Sequence, residues 1–151
     1  DKAPWGKRRS LQAVVFKDKI WLIPGWGPWD GLKSEVWYSE NGSDWHLATS
    51  KANFPPREGQ QLVVFKNKLW IIGGVDYGKR ETKNDVWYSE DGINWINATP
   101  SAPWSPRWDH AVAVFNNKLW LTGGMDLEGN VFRDIWVSKK MRAEIKTLWN
   151  V

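Results

Sequence analysis

The sequence predicts an all-β fold built from repeated four-stranded antiparallel sheets. Three observations support this. A pattern of about fifty residues occurs three times, each copy alternates short apolar runs with polar turns, and helical periodicity is confined to the last dozen residues. The 151 residues suit one domain, and a hydrophobic share of 42% is enough to form a core. We therefore expect a single repeat domain over residues 1–151.

The repeat is visible in one long motif. QAVVFKDKIWLIPG (12–25) recurs as QLVVFKNKLWIIGG (61–74) and again as AVAVFNNKLWLTGG (111–124). Two apolar runs joined by a short polar turn predict a β-hairpin, so each motif supplies the first two strands of a unit. The predicted units cover about 3–50, 51–100 and 101–140, followed by an atypical tail at 141–151.

The other two strands of each unit are predicted by a second motif. SEVWYSENGSDW (34–45) and NDVWYSEDGINW (84–95) are close copies, and RDIWVSKK (133–140) is a shortened one. The Val-Trp-Tyr-Ser stretch favours a half-buried strand, and the Asn-Gly and Asp-Gly pairs allow the positive φ angles of a hairpin turn. We expect the fourth strands to begin at Trp45 and Trp95.

With these elements in place, the unit resembles a Kelch repeat. The resemblance rests on the Gly-Gly pair after the second strand and the tryptophan in the third strand, and it covers about residues 3–140. It implies a Kelch-type β-propeller with three four-stranded blades in the chain. The residues of the second motif are similar to those of Kelch-like repeats in secreted or cell-envelope bacterial proteins. This resemblance implies a secreted or periplasmic location.

Three blades are too few to close a propeller, which usually has four to eight. Either two chains close a six-bladed ring as a homodimer, or the chain is a fragment of a longer protein. The tail leaves further alternatives open. Met141, Ile145, Leu148 and Trp149 share one helical face and suit a docking helix. Alternatively, Trp149 begins the missing fourth strand, or a truncated or shifted reading frame produced the tail.

Composition excludes several classes of function. Cysteine is absent, so disulfides, thiolate metal sites and the copper–cysteine–tyrosine site of galactose oxidase, a Kelch-type enzyme, are excluded. No apolar run of about 18 residues predicts a membrane span. The net charge is +4, but the lysines are scattered through turns rather than gathered in a stripe, so nucleic acid is not an expected partner. No metal-ligand spacing or phosphate-binding glycine loop predicts a cofactor.

Tryptophan is the unusual component, with 14 residues. Ten of them recur at equivalent positions of the repeats, which is typical of packing between sheets. The others are Trp26, Trp29, Trp108 and Trp149. The first three are predicted on one side of the blades, where the loops between strands two and three meet the loops between strand four and the next strand one. We call this side the loop face.

The loop face is the predicted binding site, because loops on a rigid scaffold commonly carry function. Exposed aromatic rings beside arginines and carboxylates suit carbohydrate recognition. The candidate ligand-binding residues are Trp26, Trp29, Trp108, Arg8, Arg57, Arg107, Asp109, His110, Glu58 and Tyr77.

Two features of this set have competing interpretations. Arg8, Arg57 and Arg107 recur in every copy, which favours a structural role over a ring of positive charge for an anionic ligand. Asp109 and His110 are sequence neighbours, and neighbouring side chains in a strand point in opposite directions, so they do not predict a nucleophile.

The sequence favours a non-enzymatic binding module for a carbohydrate or a protein surface, with no catalytic residue assigned. One alternative is a sugar-acid isomerase like the sialic-acid mutarotases, which resemble Kelch propellers. It would use the arginines near the propeller axis together with a carboxylate, Glu58 or Asp109, as acid or base. The other alternative is an oligomerising scaffold without a small ligand.

Overall fold

The computed structural model describes residues 2–139 and the short strand 149–150. The described residues contain β-strands and no helix, and they form three four-stranded antiparallel sheets. This confirms the predicted all-β class and the four-stranded blade. None of the described residues forms a helix long and apolar enough to cross a membrane.

The first blade contains four paired strands and a small additional hairpin. The hairpin, which the sequence did not predict, lies between the second and third strands of the blade. Pairing follows the order β1-β2-β5-β6, and β3 pairs with β4. The strands are β1 (Gln12–Phe16), β2 (Lys19–Ile23), β3 (Trp26–Gly27), β4 (Gly31–Leu32), β5 (Val36–Ser39) and β6 (His46–Thr49). The fourth strand of this blade begins one residue after the predicted Trp45.

The second blade has the longest strands. Its two middle strands extend beyond the sheet and carry their hairpin tip onto the loop face. The strands are β7 (Gln61–Phe65), β8 (Lys68–Asp76), β9 (Glu81–Ser89) and β10 (Trp95–Thr99), paired in that order. Trp95 begins the fourth strand, as predicted.

The third blade takes its fourth strand from the end of the chain. Its strands are β11 (Ala111–Phe115), β12 (Lys118–Thr122), β13 (Ile135–Ser138) and β14 (Trp149–Asn150). Trp149 pairs with Ser138, just as Trp95 pairs with Ser89 in the second blade. The alternative in which Trp149 begins the missing fourth strand is therefore confirmed. The alternative docking helix, with Met141, Ile145 and Leu148, lies outside the described residues.

Turn chemistry explains why the repeated sequence forms hairpins. The first turn of each blade has two successive residues with positive φ, for example Lys66 at 49° and Asn67 at 55°, which is the type I′ geometry that matches strand twist. In the second turn the Asp91 carboxylate accepts hydrogen bonds from the backbone N–H groups of Ile93 and Asn94, both at 2.8 Å. Asn41 does the same in the first blade.

Two apolar clusters fill the spaces between blades, and they use equivalent residues. β7 lies between β1 and β11, so the first strand of each blade is the inner strand. The first blade contributes Phe16, Trp21, Ile23 and Val36 to the space between blades one and two. The equivalent set from the second blade is Phe65, Trp70, Ile72 and Val86. Among the repeated tryptophans, Trp21, Trp70, Trp95 and Trp104 are buried in these clusters, and Trp87 and Trp136 are partly buried against them.

Candidate functional site

The loop face is held together by a backbone pairing that occurs in every blade. One residue just before the first strand pairs with a residue just after the second strand or, in the second blade, near the end of the longer β8. These pairs are Arg9 with Trp26, Glu58 with Val75, and Trp108 with Met125. Because the pairing extends the inner hairpin, it places the two kinds of loop side by side above each sheet.

The repeated arginines form hydrogen bonds and ion pairs with residues of their own blades. The Arg57 side chain is 0% exposed. It donates hydrogen bonds to the Gly73 carbonyl at 3.0 Å and to both carboxylate oxygens of Asp85, with an Nη2–Oδ2 distance of 2.8 Å. Burial alone would raise the pKa of Asp85, but the hydrogen bonds and charge of Arg57 hold it below its usual value. The same bidentate arrangement joins Arg8 to Asp30 and Arg107 to Asp134.

This arrangement explains why arginine recurs at this position. One planar guanidinium joins the entrance of the first strand to both middle strands at Gly73 and Asp85 in the second blade. In the first blade, Arg8 instead joins that entrance to Asp30 and Gly31 of the β3–β4 hairpin. The carboxylate that completes the Arg57 pair, Asp85, also accepts a hydrogen bond from the Trp87 indole N–H at 2.8 Å. These three side chains therefore do not form a ring of unpaired positive charge.

A different arginine does reach across the blades. The Arg9 guanidinium donates to both carboxylate oxygens of Glu58, at 2.9 and 3.0 Å, and so joins the first blade to the second. The same guanidinium lies 4.5 Å from the ring centroid of Trp26, a cation–π distance. Glu58 is buried, whereas the Arg9 side chain is 59% exposed, so the positive group faces the solvent.

Tyr77, Trp108 and Asp109 continue this group toward the third blade. The rings of Tyr77 and Trp108 meet edge to face, with centroids 5.6 Å apart. The Asp109 backbone N–H donates to the Gly59 carbonyl at 2.9 Å, linking blades two and three. Burial and the charge of Glu58 raise the pKa of Asp109. Together with Arg9 and Glu58, these residues form what we call the loop-face cluster.

Two open clefts lie between neighbouring blades on the loop face. The first, about 300 Å³, is lined by Trp26, Gly31, Leu32, Pro56, Asp76, Tyr77 and Gly78. The second, about 540 Å³, lies between the loops of blades two and three and includes Arg80, Pro106, Asp126, Glu128 and Phe132. Because Pro56 and Pro106 are equivalent repeat positions, as are Asp76 and Asp126, we regard the clefts as the same feature formed twice.

The predicted site residues therefore fall into three environments. Trp26 and Tyr77 line the first cleft, and Trp29 stands beside it on the β3–β4 hairpin with 89% of its surface exposed. Glu58, Tyr77, Trp108 and Asp109 belong to the loop-face cluster. The arginines Arg8, Arg57 and Arg107 are structural ties, and His110 is buried.

His110 is placed between blades two and three rather than on the surface. It is 1% exposed, and its ring centroid is 6.0 Å from that of Trp104. Burial, reinforced by the positive charge of Arg107, lowers the pKa of His110 to about 3. The neutral imidazole is therefore the form that the folded protein holds.

This leads to a prediction for the pH dependence of stability. The ordinary pKa of histidine, near 6.5, applies to the unfolded chain, and the folded value is lower. Protonation therefore favours unfolding, so this contribution to stability is complete above pH 6.5 and is lost as the pH falls from 6.5 toward about 3. We expect His110→Gln, which places here the residue found at the equivalent Gln60, to flatten the pH dependence in that window.

Urea unfolding at several pH values measures the effect. The control is the same substitution at an exposed position, His46→Gln. Identical slopes for His110→Gln and the wild type between pH 6.5 and 3 would contradict the assignment.

Some contributors to the site were not selected from the sequence. Arg9, Leu32 and Pro56 shape the cleft and the cluster, yet the repeat comparison did not distinguish them. Pro56 recurs as Pro106, so the comparison of repeats gave no reason to select it. Arg9 differs from its equivalents Glu58 and Trp108, so the non-repetition that selected the unusual tryptophans was also the signal for Arg9. Within residues 2–139, no group of three or more His, Asp or Glu side chains is arranged to hold a metal ion.

Three radially adjacent four-stranded sheets, with their loops gathered on one side, define the class of protein as a β-propeller. A comparison with protein families agrees: residues 19–148 match the model described as the DUF6242 beta propeller domain. The chain belongs to that family. No curated protein matches the chain significantly.

Proposed function

We propose that this propeller is a non-enzymatic binding module whose loop face takes carbohydrate. The observation that supports this most directly is the first cleft. It is concave, open to solvent, and walled by Trp26 and Tyr77, with the carboxylate-bearing Asp76 among its lining residues. Aromatic rings can stack on the C–H face of a sugar, while a carboxylate can accept hydrogen bonds from its hydroxyls.

The scaffold supports this role because it fixes the aromatic residues. Trp26 belongs to β3, pairs through its backbone with Arg9, and lies under the Arg9 guanidinium. Tyr77 stands at the tip of the long β8–β9 hairpin and contacts Trp108. A ligand entering the cleft would meet aromatic groups that are already ordered, which lowers the entropic cost of binding.

The repeats also support a proposal for the type of blade and for the location of the protein. We infer that the blades are of the Kelch type and that the protein acts in a secreted or periplasmic location, where glycans are accessible. A protein surface is the competing ligand. The exposed Trp29 ring is compatible with either one, but a concave cleft of about 300 Å³ favours a small ligand such as a sugar.

A calorimetric titration with a panel of neutral and acidic oligosaccharides tests the proposal. We expect Tyr77→Ala, which removes one wall of the cleft, to weaken binding by about two- to tenfold, since a lost aromatic contact contributes roughly 0.5–1.5 kcal/mol. We expect Trp29→Ala to weaken binding by a smaller factor. Ile93→Ala is the control because this exposed side chain lies on the turn opposite the loop face.

The outcomes separate the alternatives. Failure of the whole panel to bind, or equal affinities for Tyr77→Ala and Ile93→Ala, would overturn the carbohydrate proposal and favour a protein ligand or a scaffold. The isomerase alternative needs an acid or base, for which Asp109 and Glu58 are the candidates. The raised pKa of Asp109 favours that residue as a proton donor. NMR detection of solvent-proton exchange into sialic acid would identify an enzyme in place of a simple binder.

A further inference from the structure

The second cleft on the loop face differs in chemistry from the first. The first cleft is lined mostly by aromatic, aliphatic and glycine residues. The lining of the second includes six polar or charged residues, namely Arg80, Thr82, Ser105, Asp126, Glu128 and Asn130. Because the two clefts occupy equivalent places between blades, this difference in lining indicates that they contact different parts of a ligand.

A single turn separates the two clefts. Residues 77–80 form the tip of the β8–β9 hairpin, where the Arg80 backbone N–H donates to the Tyr77 carbonyl at 3.2 Å. Tyr77 lines the first cleft, whereas Arg80 lines the second. The backbone N–H of Lys79 donates to Oδ1 of Asp76 at 3.1 Å, which holds the tip in this conformation. One ligand lying across the turn can therefore contact both clefts.

Arg80 has an unusual backbone conformation for its residue type. Its φ angle is 54°, in the left-handed region that favours glycine. In the corresponding loops of the first and third blades, the positive φ angle does belong to glycine: Gly31 at 67° and Gly129 at 87°. Strained positions of this kind cluster at functional sites. The strain at Arg80 therefore points to a use for its side chain.

The Arg80 guanidinium is available to a ligand. Arg80 is exposed, and its side chain has no hydrogen bond or ion pair within the part of the chain that the structure describes. The arginines Arg8, Arg9, Arg57 and Arg107, by contrast, each bind a carboxylate of this protein. Arg80 therefore provides an unpaired positive charge on the wall of the second cleft.

The two carboxylates of the second cleft differ in their environment. The Asp126 carboxylate is occupied by its own loop. It accepts hydrogen bonds from the backbone N–H groups of Glu128 and Asn130, both at 2.9 Å, and from the Asn130 side-chain amide at 2.8 Å. Glu128 is exposed. A guanidinium and an exposed carboxylate in one cleft suit a ligand that carries both an acidic group and hydroxyl donors.

We propose that the ligand is an acidic oligosaccharide that crosses this turn, with the carboxylate of a sugar acid on Arg80 and the neighbouring sugar in the first cleft. A guanidinium can hold a carboxylate through two parallel hydrogen bonds. Hydroxyl groups of the same sugar acid donate to Glu128. This proposal rests on the carbohydrate function proposed above, and it specifies the class of carbohydrate.

Calorimetric titration with matched acids and esters tests the proposal. The ligands are a short oligogalacturonate and sialyllactose, each compared with its methyl ester, which lacks the negative charge. We expect at least one acid to bind the wild type about tenfold more tightly than its ester, with an affinity that falls as salt is added. Arg80→Gly should weaken binding of that acid by about tenfold and leave binding of the ester unchanged. The control is Arg133→Ala, which removes the same charge from an exposed arginine that lines neither cleft.

Urea unfolding of the same variants separates recognition from folding. Arg80→Gly should unfold at the same or a higher urea concentration than the wild type, because glycine accepts a positive φ angle without strain. A less stable Arg80→Gly variant, or equal effects of Arg80→Gly and Arg133→Ala on binding of the acid, would overturn the role of Arg80.

The ligand pairs also distinguish this proposal from the one on which it rests. If acids and esters bind equally and Tyr77→Ala weakens both, the carbohydrate function stands and the preference for a sugar acid is wrong. If no acidic, esterified or neutral oligosaccharide binds, both proposals are wrong.

Discussion

Replacing Arg57 by alanine is expected to lower the free energy of unfolding by about 3–5 kcal/mol, the usual cost of removing one partner from a buried ion pair. The guanidinium is fully buried, and the Asp85 side chain is only 13% exposed. Without Arg57, the Asp85 carboxylate loses its bidentate partner in a place where little water can replace it. The Gly73 carbonyl loses a hydrogen bond in the same variant.

The equivalent arginine of the first blade provides a comparison for this effect, with a carboxylate partner that lies in the β3–β4 hairpin. Arg8 forms the same bidentate pair with Asp30, but the Asp30 side chain is 43% exposed, so water can solvate it after the arginine is removed. We expect Arg8→Ala to cost about 1–2 kcal/mol, because hydrogen bonds to charged groups contribute roughly 1.5–3 kcal/mol when solvent does not compensate. Urea unfolding of both variants gives the comparison. Equal losses would show that burial of the carboxylate does not determine the cost.

The fold was predictable because its information is local and repeated three times. Each hairpin is defined by short apolar runs and by turn residues that accept positive φ, and three independent copies agree. The tryptophans were assigned to the core for the same reason, and Trp21 and Trp70 do pack between blades. The extra β3–β4 hairpin was not predicted because its strands contain only two residues each and lack any alternation of apolar and polar positions.

The site was less predictable because its contacts join distant parts of the chain. The Arg9–Glu58 pair spans 49 residues, and no sequence pattern indicates which carboxylate faces which arginine. Comparing repeats identified residues that differ between blades, such as Trp26 and Trp108. It did not reveal that His110 would be buried, since burial depends on how one blade packs on the next.

Replacing Trp70 by alanine is the second large effect, with an expected loss of about 3–5 kcal/mol in the free energy of unfolding. Trp70 is 0% exposed in the cluster between blades two and three, and its indole N–H donates to the Phe65 carbonyl at 2.8 Å. The substitution removes the ring from a packed interface between sheets and leaves that carbonyl without its indole donor. Relaxation is limited because rigid strands from both blades surround the space.

Two further variants test whether packing causes the loss. Trp70→Phe retains an aromatic ring but removes the indole N–H, so its loss should be smaller than that of Trp70→Ala. Trp29→Ala removes the same ring from a position that is 89% exposed and should change the unfolding free energy by less than about 0.5 kcal/mol. If Trp70→Ala and Trp29→Ala unfolded at the same urea concentration, the interface between blades two and three would not limit the stability of the protein. The abundance of tryptophan would then require an explanation other than packing between blades, and ligand contact on the loop face would be the first to examine.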